Sequence, residues 1–257
     1  MKKLQIVPET VVLAVSYVAM VAFNALGEVF KLGGVTSADV SNEVFAWFAP
    51  AGYVFMIWSV IYVGLAVWGV RLAMDEGHER HLAGLPVGAE CALFVLSCVL
   101  NIAWLTFWHL KVFAATVPVI VALLVTVAAL YVLTWRRSSS PLDRVPPALY
   151  ASWLTVATMA NVAHVLERSG LVGTGFVPAA LTLVLLAVLV AASYVVRRVF
   201  DEYTFGLVVA WAGIGIGVRL TGVSAPFGVL VIVVSVLGVA ASYVPWGRVL
   251  PALRKRG

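Results

Sequence analysis

The chain has 257 residues, of which 63% are hydrophobic and 11% charged, and its mean hydropathy is +1.04. Soluble chains carry about 25% charged residues, so this composition excludes a soluble enzyme, a disordered segment, a coiled coil and a nucleic-acid-binding domain. The net charge of +5 is distributed between apolar stretches rather than gathered in one patch, which makes it an orientation signal and not an attraction for polyanions.

A bilayer core of about 30 Å is crossed by about 20 apolar residues in a helix. On that rule the chain divides into eight spans, at residues 9–30, 47–72, 89–109, 112–135, 146–167, 176–196, 204–221 and 226–246. The fourth and sixth carry no charge along their apolar lengths, whereas the seventh is short, Gly-rich and contains Arg219. Continuous runs, rather than alternating segments of about 10 residues, predict an all-α polytopic bundle and not a barrel. Met1-Lys2-Lys3 resembles the basic start of a signal peptide, but the run behind it is long and no small-residue cleavage pattern closes it. It is therefore read as the first span.

Lys and Arg concentrate on cytoplasmic loops. One set of alternate loops receives Lys2, Lys3, Arg71, Arg80, Arg136, Arg137, Arg144, Arg197, Arg198, Arg248, Arg254, Lys255 and Arg256; the other receives Lys31, Lys111, Arg168 and Arg219. Both termini are accordingly predicted to be cytoplasmic, with the tail at Arg254, Lys255 and Arg256 adding weak attraction to anionic lipid.

Polar side chains inside a bilayer are costly and mark bundle interiors. Residues three or four apart share a helix face, and four spans each show an aromatic and polar stripe. The first offers Tyr17, Asn24 and Glu28; the second Trp47, Ala51, Trp58 and Tyr62; the third Ser97, Asn101, Trp104 and Trp108; the fifth Tyr150, Trp153, Ala157, Asn161, His164 and Arg168. Under the predicted topology Asn24, Glu28, Asn101, His109, Asn161, His164 and Arg219 fall in the outer half. For any one of these, an interhelical hydrogen bond or interfacial anchoring is the simpler account, and Trp47, Trp135 and Trp246 lie at predicted span ends. Taken together, they predict a cavity of flat apolar rings with a few hydrogen-bonding groups at its outer end, suited to a large planar or rigid hydrophobic ligand.

Other features read as structural. Cys91 and Cys98 are about 10 Å apart along a helix axis, too far for a disulfide. Gly213-Ile214-Gly215-Ile216-Gly217 is a close-packing face rather than a dinucleotide loop. Residues 75–81, with Asp75, Glu76, His78, Glu79, Arg80 and His81, form a metal-like cluster in composition only and are read as a solvated turn. No catalytic or metal-binding motif appears.

Three segments resemble the translocator protein family, also called tryptophan-rich sensory proteins (TspO/MBR). Trp47-Phe48-Ala49-Pro50-Ala51-Gly52-Tyr53-Val54-Phe55-Met56-Ile57-Trp58 with Tyr62 resembles W-x-P-P-G-W-x-F-x-x-x-W-x-x-x-Y, although Ala49 and Tyr53 replace the family's first proline and second tryptophan, and the step from Phe55 to Trp58 is one residue short. Leu100-Asn101-Ile102-Ala103-Trp104 is similar to L-N-x-x-W. Tyr150, Trp153, Ala157, Thr158 and Asn161 match Y-x-x-W-x-x-x-A-T-x-x-N without a gap. The resemblance covers residues 9–168, a five-span unit, and divides the chain into that unit (1–170) and a three-span extension (171–257).

The resemblance implies binding, and transport or sensing, of a tetrapyrrole such as protoporphyrin or haem, or of a sterol, beneath the loop at 31–45. It implies a pocket lined by Trp47, Pro50, Tyr53, Asn101, Trp104, Trp153 and Asn161, to which the stripes add Trp58, Trp108 and His164. His164, His109 and Arg168 are candidate donors to propionates, and either histidine is a candidate ligand of haem iron. A homodimer in a prokaryotic cell membrane, in contact with lipid, is the expected setting. Two alternatives stand beside this: a porphyrin-modifying enzyme, and an ion-coupled permease using Glu28, Arg219 and the seventh span.

Overall fold

The computed structural model describes residues 8–75, 87–171 and 175–244. Its helices are α1 Pro8–Val29, α2 Ser37–Asn42, α3 Ile57–Ala73, α4 Ala89–His109, α5 Phe113–Arg137, α6 Pro141–Arg168, α7 Phe176–Phe200, α8 Thr204–Thr221 and α9 Ala225–Tyr243, with a 3₁₀ turn at Gly52–Met56 leading into α3. Among the described residues there is no strand, and eight helical segments are long and apolar enough to cross a membrane. The eight-span all-α expectation therefore holds. The remainder of the metal-like cluster after Asp75, the residue Trp246 and the basic tail lie outside the described residues.

Connections of three residues join α4 to α5, α5 to α6, α7 to α8 and α8 to α9, so successive spans run antiparallel. Polar contacts identify the two ends. At one, Arg71 of α3 pairs with Asp143 of α6 and Arg137 of α5 pairs with Asp75 and Glu90. At the other, Glu43 pairs with Lys111 and Arg168, and Arg219 donates to Asn42. Five spans close a ring in the order α1, α4, α5, α6, α3, back to α1.

The Gly-rich α8 is the most enclosed span. It packs on α6, α7, α9 and the 3₁₀ turn, which explains the glycines: a Cβ on Gly217 would come within 2.7 Å of the Gly228 carbonyl oxygen, and one on Gly215 within 2.1 Å of Val54. The last three spans thus close against the ring through α8. Cys91 and Cys98 are free and buried.

Two boundaries depart from expectation. The second span does not begin at Trp47: residues 46–51 are irregular, because Pro50 disfavours helical backbone at Ala49 and the Ala51 N–H donates to the Gly215 carbonyl of α8 at 3.0 Å. The fifth span begins at Pro141, five residues before the expected 146, since a proline at the first helical position loses no hydrogen bond. Short α2 was not expected at all. Thr36 caps it, accepting from the Asp39 N–H at 3.0 Å while the Asp39 carboxylate accepts from the Thr36 N–H at 2.9 Å, a reciprocal capping box.

Asp143 is 6% exposed and is held by Arg71 Nε at 2.5 Å and Ser138 Oγ at 2.6 Å. Removing the guanidinium leaves a buried carboxylate without its cation. Arg71→Ala should destabilise the bundle by about 2 kcal/mol, seen as a lower thermal midpoint in detergent that Arg71→Lys partly restores.

Candidate functional site

A cavity of about 490 Å³ lies inside the five-helix ring at the α2 end. α1 contributes Val21, Asn24, Ala25 and Glu28; α3 and its leading turn contribute Phe55, Trp58 and Tyr62; α4 contributes Trp104 and Trp108; α6 contributes Trp153, Ala157, Ala160, Asn161 and His164. Ser37, Ala38 and Ser41 of α2, with Ala49, Pro50 and Gly52, cover it. The volume is that of a site for a drug-sized molecule.

The aromatic walls brace one another. Trp58 stacks on Tyr62 with centroids 5.6 Å apart and meets Trp153 edge-on at 6.3 Å; Phe55 meets Trp153 at 6.0 Å; Trp104 stacks on Trp108 at 5.8 Å. Mutual contact fixes rotamers, so the rings present flat faces without first having to be ordered by a ligand. His164 sits against Trp108 and Phe113 at 5.0 and 5.2 Å.

Behind these walls runs a polar layer. Asn24 Nδ2 donates to Asn101 Oδ1 at 2.8 Å, Asn101 Nδ2 to the Tyr150 hydroxyl at 3.2 Å, and Asn161 Nδ2 to Thr116 Oγ1 at 3.2 Å. Three lining groups are left over: His164 is 2% and Trp153 1% exposed, yet neither nitrogen of His164 nor Trp153 Nε1 has a protein partner, and the same holds for Ser37 Oγ. Buried polar atoms are ordinarily satisfied, so these stand out as unsatisfied groups on residues that line the cavity.

Of the residues expected to form the pocket, the cavity brings together Pro50, Trp58, Trp104, Trp108, Trp153, Asn161 and His164. Trp47, Tyr53 and Asn101 are not among its lining residues. Trp47 packs edge-on to Phe227 at 5.8 Å and Tyr53 to Trp211 at 5.5 Å, so α8 and α9 take both rings. Asn101 is fully buried behind Asn24 and positions that side chain. Of the expected propionate donors, Arg168 lies instead over Phe113 and donates to Glu43, and His109 engages the Leu105 carbonyl through Nδ1 at 2.9 Å. Ser37 and Ser41 were not singled out from the sequence; Phe55 enters there only through its short step to Trp58, and its place on the wall becomes visible once the 3₁₀ turn, with about 120° rather than 100° per residue, is recognised.

Glu43 fastens the cover, pairing with Lys111 and Arg168. The Lys111 ammonium, with Arg168, holds its carboxyl below the usual carboxylate range. A lowered value in the folded state means that this tie is present above the ordinary carboxylate range and is lost as pH falls through the lowered value. Amide exchange at Val40 and Glu43, corrected for intrinsic rate, should therefore rise below about pH 4 relative to neutral pH, and Glu43→Gln should abolish that acid dependence.

A family model described as TSPO-like protein matches residues 10–244, a stretch that includes α7, α8 and all of α9 as well as the ring but for the first two residues of α1. No curated protein and no solved structure matches the chain.

Proposed function

The chain belongs to the TSPO-like family, a family of membrane ligand-binding or transport proteins, and from that premise we propose that it binds a flat, rigid, mostly apolar molecule in the ring cavity. The observation that supports this best is the cavity itself: four tryptophans from three spans, already braced, around a volume of about 490 Å³. With the charge bias of the loops read as both termini inside, the site belongs to the extracytoplasmic half of the bilayer. The separation into a ring unit and a three-span extension is part of the same reading, the extension serving as a brace.

Two ligand classes suit the walls unequally. The face of a tetrapyrrole matches Trp58, Trp104, Trp108 and Trp153, but its two propionates carry negative charge. No Lys or Arg is among the lining residues, and Glu28 is. A dianionic tetrapyrrole therefore fits the rings and not the charge, whereas a neutral sterol-like molecule fits both. One observation favours haem as a second reading, the two unpartnered nitrogens of His164.

Purified protein titrated with cholesterol, protoporphyrin and haem separates these readings. A change in tryptophan emission that half-saturates at micromolar cholesterol, and at a lower concentration than with protoporphyrin, is the expected result. A Soret shift with haem that disappears in His164→Ala would favour iron ligation. Unchanged tryptophan emission with all three would overturn the binding proposal.

A further inference from the structure

Among the described residues, Glu28 is the one carboxylate on the cavity wall. It lies in the last turn of α1, half-buried, with both oxygens near the Ser37 N–H at 3.2 and 3.3 Å. A single shared amide does not saturate a carboxylate, which has about four acceptor positions. Of the cations at this end of the bundle, Lys111 and Arg168 pair with Glu43, Arg219 donates to Asn42 and Lys31 acts on Asp39.

Two further atoms beside Glu28 lack partners. Ser37 Oγ lines the cavity and has none. His109, 1% exposed, directs Nδ1 at the Leu105 carbonyl, which can only accept, so Nδ1 carries the hydrogen. Its Nε2 then stands 3.6 Å from Glu28 Oε1 with no hydrogen bond. The site thus offers a half-buried carboxylate with acceptor positions to spare, the Ser37 residue beside it, and no Lys or Arg among the lining residues.

We propose that this corner recognises the head of the ligand, and that the head is a hydrogen-bond donor, best a protonated amine, on an otherwise apolar rigid body. Resting on the cavity-binding reading, it adds a rule of charge selection: an ammonium is preferred, a hydroxyl accepted and a carboxylate rejected. An ammonium carries three donors and no acceptor, matching the acceptor positions that a single shared amide leaves open on Glu28, and a charge-assisted hydrogen bond is about twice as strong as a neutral one. A carboxylate would meet Glu28 with like charge.

Three steroids that share one ring system and differ at the 3-position, as amine, hydroxyl or carboxylate, test the rule at pH 7 by tryptophan quenching of the full chain in detergent. The amine should bind at least about tenfold tighter than the carboxylate, with the hydroxyl between them. In Glu28→Gln the ratio of amine to carboxylate affinity should collapse to within about threefold; Glu28→Asp should retain part of it. Because the ratio is read within each variant, a general loss of affinity does not imitate the effect. Equal binding of amine and carboxylate, or a ratio unchanged in Glu28→Gln, overturns the charge rule while leaving the cavity reading standing. Failure of all three to bind removes both.

Discussion

Gly228→Ala is expected to be among the most damaging single-methyl changes in this protein, costing about 3 kcal/mol. The added Cβ would lie 2.5 Å from the Gly217 carbonyl oxygen and 2.6 Å from the Thr221 amide nitrogen. Both are backbone atoms of α8 and neither can rotate away. The α8–α9 approach depends on that closeness, since membrane helices gain little from apolar burial against each other and much from backbone-level packing. Gly238→Ala is the graded comparison: its Cβ would meet Val190 Cγ1 at 2.9 Å and Cγ2 at 3.0 Å, side-chain atoms that can give by a few tenths of an ångström, so a smaller loss is expected. Gly69→Ala in α3 is the opposite case, with nothing within 4 Å and a helix-propensity gain of up to about 1 kcal/mol. Thermal midpoints of the three variants in one detergent check the order. A Gly228→Ala variant as stable as Gly69→Ala would show that α8 and α9 are not packed at backbone distance.

The spans were legible because their signal is local: about 20 apolar residues are needed wherever a helix crosses lipid, whatever it packs on. The site was legible in part for the same reason. Trp153, Asn161 and His164 share a face by spacing alone, and all three line the cavity. Trp47 and Tyr53 obey the same local logic yet point at Phe227 and Trp211, residues more than 150 positions away, and no periodicity announces which ring a distant helix will cover. Asn101 shows a finer limit. Spacing places it on the stripe of Trp104 and Trp108, but a stripe is wide enough that one edge faces the cavity and the other the next helix, where Asn101 meets Tyr150. The capping box at Thr36 and Asp39 was readable, and with it the helix that covers the site. Glu28 was visible as a buried-polar anomaly; its role as the one carboxylate among the described wall residues required the arrangement of four helices and a loop.

Filling the cavity should abolish ligand binding without harming the fold, and Ala160→Phe is the variant that tests this. Ala160 lines the cavity from α6, between the turns that carry Trp153 and Asn161. A benzyl group there has the void available to it, so the substitution need not force off-rotamer neighbours as overpacking a filled core does. It adds apolar contact to atoms that presently face empty space, and cavity-filling commonly stabilises by about 0.5–2 kcal/mol. A bound ligand, by contrast, loses the same volume and the stacking surfaces of Trp104 and Trp153. The expected result is a fall in affinity of at least about a hundredfold, equivalent to about 2.7 kcal/mol, together with an unchanged or higher thermal midpoint. That opposite movement of affinity and stability is what a surface or lipid-side binding site would not produce, because a residue remote from the ligand cannot lower affinity by occupying its place. Retained affinity in a well-folded Ala160→Phe protein would place the ligand elsewhere on the molecule and remove the ring cavity from the account of function.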